Sequence, residues 1–442
     1  MRMEQVVFTE FALSDGGRYA LKTVNNDALT ATSNQNCRCV DGKLFLGLGL
    51  KCLKDASGKE MTTGQTVRAV VPASYWQNNT EHQCPVIVTA QGKLYQYNES
   101  TGAWTEIPAT VAGNVGACFA IASNGNSGVF IVSNNGFLQT GTAGGVIQTR
   151  AETANGGVCV FKDRVFYSAG NTVVFSDAGN YLDFVESAYG GGRIEIWEGG
   201  GRVWQLLPFD GAILLIKEQS VLKMYAAGAA DEFRIEKLDF CGGRIAKGSA
   251  AVCGKYVMFV TVDGNVYRFN GASFEKIAMG IPREYCQDFK GTASDGVRYF
   301  RVGDERTLVM EVDGSCYASY SIDGLTGCGD MAVGVYGGKV CCFDPMENLP
   351  LAESAAFVVS PFLLQDEKEK IVRKMTVYGT GNASVELSGE RGELRSDVAL
   401  DEDGVVFETE IWGQKFVLKL GLATACRVDK IVFEYTTVEK ES

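Results

Sequence analysis

The chain has 442 residues, 46% of them hydrophobic and 21% charged, with a formal net charge of −12 and 53 Gly against only 8 Pro. That is a globular composition, long enough for two or three cores. Acid exceeds base in both parts, 37 Asp/Glu against 30 Lys/Arg over 1–355 and 16 against 11 over 356–442; this excludes a surface built to grip nucleic-acid phosphates and leaves passive contact with DNA open.

The opening stretch, MRMEQVVFTEFALSDGG, has a Glu inside it and no apolar core long enough for a secretory signal. No run approaches the roughly 18 apolar residues of a membrane span, so no membrane role is expected. Residues 1–36 are polar with few apolar runs and predict an arm lying along the surface or reaching into a neighbour. Next comes CRCVDGKLFLGLGLKCL (37–53). Its hairpin pattern predicts either an additional repeat unit or the strand that closes a ring of such units; residues 1–64 are grouped on that basis.

From residue 65 onward one pattern recurs: an apolar strand, a tight turn containing Gly, Asn or Asp, and a second apolar or aromatic strand. It starts at Pro85, Gly128, Arg164, Ala212, Tyr256, Val297 and Met331, a mean spacing of 41 residues. The turns carry the residues that two-residue hairpins need. A further apolar stretch precedes several of these hairpins, as in VRAVVPASYW (67–76), GACFAIAS (116–123), VWQLLPF (203–209) and GSAAVCG (248–254). Four strands per unit at this period predict a β-propeller of about seven blades over 65–355, with the preceding stretch innermost. A generic sandwich and counts of six or eight blades are the competing readings.

The segment ESAAFVVSPFLLQ (353–365) leaves the ring, and the charged DEKEKIVRK (366–374) opens the remainder. From Ile371 five or more strand-length runs follow without helical period, predicting a small β-sandwich or barrel over 356–442. The fold class is therefore all-β throughout.

The inventory of reactive side chains is thin. His82 is the sole histidine, and QNNTEHQC around it reads as a polar loop, so a histidine-based triad has no base to offer. Cysteines occur at Cys37, Cys39, Cys52, Cys84, Cys118, Cys159, Cys241, Cys253, Cys286, Cys316, Cys328, Cys341, Cys342 and Cys426. Scattered through apolar segments without C-x-x-C spacing, they read as reduced thiols packed as small hydrophobes, in a protein made in a reducing cytosol. No zinc-type cluster is expected, and VDGN at 262–265 reads as a hairpin turn rather than a calcium loop. Two Gly triplets in YGGGRIEIWEGGGRVW (189–204), followed by Arg193 and Arg202, lack the strand-to-helix setting of a phosphate cradle and predict a flexible, solvent-facing hairpin or contact loop. No carboxylate pair is marked out by spacing. The expectation is no catalytic residue, no cofactor and no metal.

Three longer phrases resemble a known family: RVFYSAGNTVVFSDAGNYLDF (164–184), VWQLLPFDGAILLIKEQSVLKMY (203–225) and GGRIAKGSAAVCGKYVMFVTVDGNVYRFNGASFEKI (242–277). With the ending KEKIVRKMTVYGTG…GQKFVLKLGLATACRVDKIVFEY, they are similar to the tail-hub or nozzle proteins of short-tailed bacteriophages, often described as packaged-DNA stabilisation proteins. The resemblance covers about 160–435. It implies a virion structural protein made in the host cytoplasm and assembled as a sixfold homo-oligomeric ring. That ring would extend or close the tail channel below the portal, beside other tail, portal or adaptor proteins. An acidic wall would let DNA slide past during ejection. The alternatives are a propeller that binds host-surface glycan and a carbohydrate-active propeller enzyme.

Overall fold

The computed structural model describes residues 3–12 and 28–438 apart from short stretches, the longest being 111–117, 142–146, 151–156 and 287–291. Among these, seven four-stranded antiparallel sheets follow one another along the chain. Their second strands begin at Thr80, Ser127, Arg164, Ala212, Tyr256, Arg298 and Met331, within five residues of each start read from the hairpin pattern. The first strand of each sheet (67–77, 118–124, 158–161, 203–209, 251–253, 292–294 and 323–328) contacts the first strand of the next, and 323–328 returns to contact 67–77. The ring is closed, and the fold is a β-propeller.

The fourth blade shows why the sequence folds this way. Its strand Ala212–Lys217 is buried at every position, so an uninterrupted apolar run replaces the alternation expected of a half-exposed strand. Successive side chains still point to opposite faces. Ile213 and Leu215 pack with Phe166 and Phe175 of the third blade, whereas Leu214 and Ile216 pack with Val257, Phe259 and Phe269 of the fifth. One strand thus feeds two inter-blade cores, each buried side chain contributing about 1.5–3 kcal/mol.

The seventh blade borrows its outer strand from the other end of the chain. Gly49–Cys52 pairs antiparallel with Lys339–Asp344, Cys52 opposite Cys341 and Gly49 opposite Asp344. The 37–53 stretch therefore does not form an eighth unit. It divides: Cys37–Val40 and Lys43–Leu46 make a hairpin that joins the C-terminal sheet through Arg427 and Val428, and only the last part closes the ring. Gly49 lies so close to the chain after the blade that a Cβ would collide with the Glu347 carbonyl. Gly49→Ala is expected to lower stability by about 1–3 kcal/mol, read as a lower denaturant midpoint; an unchanged midpoint would show that the closing strand is not held this tightly.

The described residues of the segment expected as an arm, 3–12 and 28–36, contribute strands to sheets instead. Met3–Phe8 pairs along its whole length with the C-terminal strand, from Met3 opposite Thr436 to Phe8 opposite Ile431. Ser33–Gln35 pairs with Ala356–Phe362. The apolar side chains of this segment are few but well placed: Phe8, Phe11 and Leu29 are buried in the same core as Phe357, Met375 and Phe433. The remaining strands are Lys370–Ser388, Glu393–Leu400, Val405–Gly413, Phe416–Leu422 and Arg427–Thr437. Lys370–Ser388 serves two sheets, pairing with 405–413 and 427–437 over its first half and with 393–400 and 416–422 over its second. The result is a sandwich assembled from both ends of the chain, with the propeller inserted between its two portions. Among the described residues there are also a short parallel pair, Glu10–Ala12 with Ala28–Thr30, and two short 3-10 turns, Ala230–Glu232 and Arg283–Cys286.

Candidate functional site

The residues of the family-like phrases hold loops in place. Arg164 is only 4% exposed. Its Nη1 donates to the carbonyls of Ser176 and Gly190, each at 2.7 Å, and its Nη2 to that of Gly228 at 3.4 Å. The guanidinium also lies over the rings of Phe175 and Phe233. Burial holds its pKa below the ordinary range, with Asp177 pulling the other way. Lys217 has no exposed surface; its Nζ donates to the carbonyls of Ile196 at 2.8 Å and Glu198 at 2.7 Å. Ser220 Oγ donates to Gly199 O at 2.9 Å.

The 189–204 segment, expected as a flexible hairpin or a contact loop, is not a hairpin. Gly192–Glu195 is the outer strand of the third blade and Val203–Phe209 the first strand of the fourth, and these ties hold the connection between them. Gly199, Gly200 and Gly201 have φ of 77°, 61° and 71°, three successive left-handed residues that only glycine adopts without strain. The other triplet is glycine for space: a Cβ on Gly191 would stand 2.7 Å from the Phe184 Cα, and one on Gly192 2.8 Å from the Phe175 ring. On the segment between the triplets Trp197 is 74% exposed. Arg193 approaches Glu186 at 3.8 Å with both side chains largely in solvent, and Arg202 is exposed. The arrangement presents an aromatic side chain on a pinned loop.

His82 lies within the strand Thr80–Thr89, opposite Tyr75, and not in a loop. Residues 78–79, between this strand and Val67–Gln77, lie outside the described residues. Among the described residues no group of three or more His, Cys, Asp or Glu converges as a metal site would require. The VDGN sequence forms the turn between Tyr256–Val260 and Val266–Phe269, with Gly264 at φ 79° and Thr261 Oγ1 accepting from the Asn265 amide.

A cleft of about 1370 Å³ lies between the seventh blade and the sandwich. Leu50, Cys52, Tyr336 and Cys341 form its propeller side; Asn382, Ser384 and Asp397 form its sandwich side. Its walls are tied together. Asn348 Oδ1 accepts from the Thr424 hydroxyl, and Asn36 Nδ2 donates to Glu353 Oε2 at 3.2 Å and to Ser354 O at 2.9 Å. Nearby, Leu48 is gripped by two tyrosines of the sixth blade: its amide donates to Tyr317 Oη at 3.1 Å, and Tyr320 Oη donates to its carbonyl at 2.6 Å. Sequence reading missed Arg164, Lys217 and these tyrosines. A signal existed for the first two, a lone cation opening or ending an apolar run, as in RVFYS and AILLIK.

Fold and site define a closed β-propeller carrying a composite β-sandwich, with its cleft at the neck between them and its distinctive phrases spent on holding loops. No protein-family profile matches the chain, and no curated protein matches it. Among solved structures it is similar to one described as "Crystal structure of RRP9 WD40 repeats", at 11% identity and a TM-score of 0.44, over 67% of this chain and 97% of that one.

Proposed function

We propose that the chain is a non-enzymatic structural protein of a tailed-phage virion, one subunit of an oligomeric hub or nozzle ring around the DNA channel. The observation that carries this reading is the run of family-like phrases from Arg164 to Ile277, together with the C-terminal ending. Two features support it. The residues of those phrases do architectural work, pinning loops between blades, as a component under assembly load requires. Trp197 stands on a loop already fixed in shape, so docking a neighbouring subunit there would cost little ordering entropy; tryptophan is also a residue type that dominates subunit contacts.

The test is imaging of purified phage particles carrying a labelled version of this chain, with sedimentation of the isolated protein alongside. Label at the tail or head–tail junction, in multiple copies per particle, is the expected result. A chain that stays monomeric at every concentration and is absent from particles overturns the proposal.

A further inference from the structure

The strand that closes the propeller brings two thiols face to face. Cys52 and Cys341 are directly opposed in the antiparallel register, with their sulfurs 3.6 Å apart. Cys341 Sγ also lies 3.4 Å from the Lys339 carbonyl. Both residues line the cleft, where Cys52 is half-buried and Cys341 buried. Cys342 packs on the other face, in the core shared with Val67, Val70 and Ile87 of the first blade. Alternation along the strand therefore offers one of the two adjacent cysteines to Cys52 and withholds the other.

We propose that Cys52 and Cys341 form a redox latch that covalently locks the closing strand onto the seventh blade. The inference rests on the closure geometry and stands whether or not the assembly reading does. The sulfurs need to approach by about 1.5 Å to reach the roughly 2.05 Å of a disulfide bond, which rotation about the two Cα–Cβ bonds can supply. The oxidant is a small-molecule disulfide of the glutathione type. Cys52, the more accessible thiol, attacks it as thiolate, giving a mixed disulfide and releasing one glutathione thiolate. Cys341 then loses its proton to water and attacks the Cys52 sulfur, releasing the second glutathione. Two protein thiols become one disulfide, and one glutathione disulfide becomes two glutathiones. Burial, then the facing Cys52, push the Cys341 thiol well above its ordinary range, so the second step is slow near neutrality and accelerates about tenfold per pH unit with the thiolate fraction.

The bond would close a loop across a sequence separation of 289 residues, nearly the whole propeller. In the reduced protein the closing strand is held by hydrogen bonds, packing and the Lys51–Asp344 ion pair, with no covalent tie. Full-length protein is incubated with glutathione disulfide at pH 8, digested without reductant and examined by mass spectrometry, with melting followed in parallel. The expected product is a peptide pair linking Cys52 to Cys341, with a melting temperature raised by about 5 °C or more and restored by dithiothreitol. Cys342→Ser should keep both effects and Cys52→Ser should lose both. Persistent glutathione on Cys52 with Cys341 still free, or a link from Cys52 to Cys342, overturns the latch, and this readout on the unmodified protein does not depend on any variant folding.

Discussion

Removing residues 1–53 is expected to abolish folding of the sandwich and to open the propeller. An appendage could be deleted with little consequence; this segment cannot, because its strands complete two other structures. Phe8, Phe11, Leu29, Cys37, Cys39, Leu44 and Leu46 are all buried in the sandwich core. At about 1.5–3 kcal/mol for each large side chain, their loss is on the order of 10 kcal/mol, comparable with the entire stability of an ordinary domain, about 5–15 kcal/mol. The same deletion strips the outer strand from the seventh blade and leaves the pairing edge of 339–344 open. Circular dichroism and gel filtration of the truncated chain check this. Aggregation or a non-cooperative melt is expected, and a monodisperse protein melting within a few degrees of the intact chain would refute the composite architecture. Supplying 1–53 as a separate peptide should rescue part of the structure.

Arg164→Met should destabilise the protein by about 1–3 kcal/mol, the cost of leaving a buried acceptor unsatisfied. Three carbonyls on two loops, those of Ser176 and Gly190 on one and Gly228 on the other, lose their shared donor. Ser176 is buried, so its carbonyl cannot readily regain a donor from water, whereas Gly190 is half-buried and Gly228 exposed. Arg164→Lys should recover only part, because an ammonium cannot reproduce the planar fork that reaches several carbonyls at once. The measurement is the denaturant midpoint, joined by limited proteolysis across 176–191, where cleavage should accelerate in the variant. A loss below about 1 kcal/mol would mean the loops are held by something else.

Legibility followed sequence distance. The blades were readable because a hairpin is a local object: an apolar run, a turn with Gly, Asn or Asp, and a second run name both strands and their connection. VWQLLPF was read as 203–209, and the strand is Val203–Phe209. The sandwich was readable only from its C-terminal side, for the same reason. What pairs Met3 with Thr436 is a register between segments 433 residues apart, and nothing in a short polar stretch announces a partner at that distance. The 37–53 segment failed in an instructive way. Its hairpin was seen, but its division at Gly47 and Leu48 depends on carbonyls and tyrosines contributed by other parts of the chain. The cleft was invisible for a related reason, since its two walls come from strands more than 40 residues apart. Arg164 and Lys217 were present in the quoted phrases, yet a single cation in an apolar run shows its purpose only when the facing carbonyls are known.

The pairing of Met3–Phe8 with the final strand also fixes how the molecule responds to tension. The outer ends of the two strands lie side by side, Met3 against Thr436. A pull applied through those two points would part the strands one rung at a time, as a zipper opens, while the ring beyond the neck carried no force. The weakest element under load would therefore be the seam that joins the two ends, and the propeller would stay intact until that seam had opened.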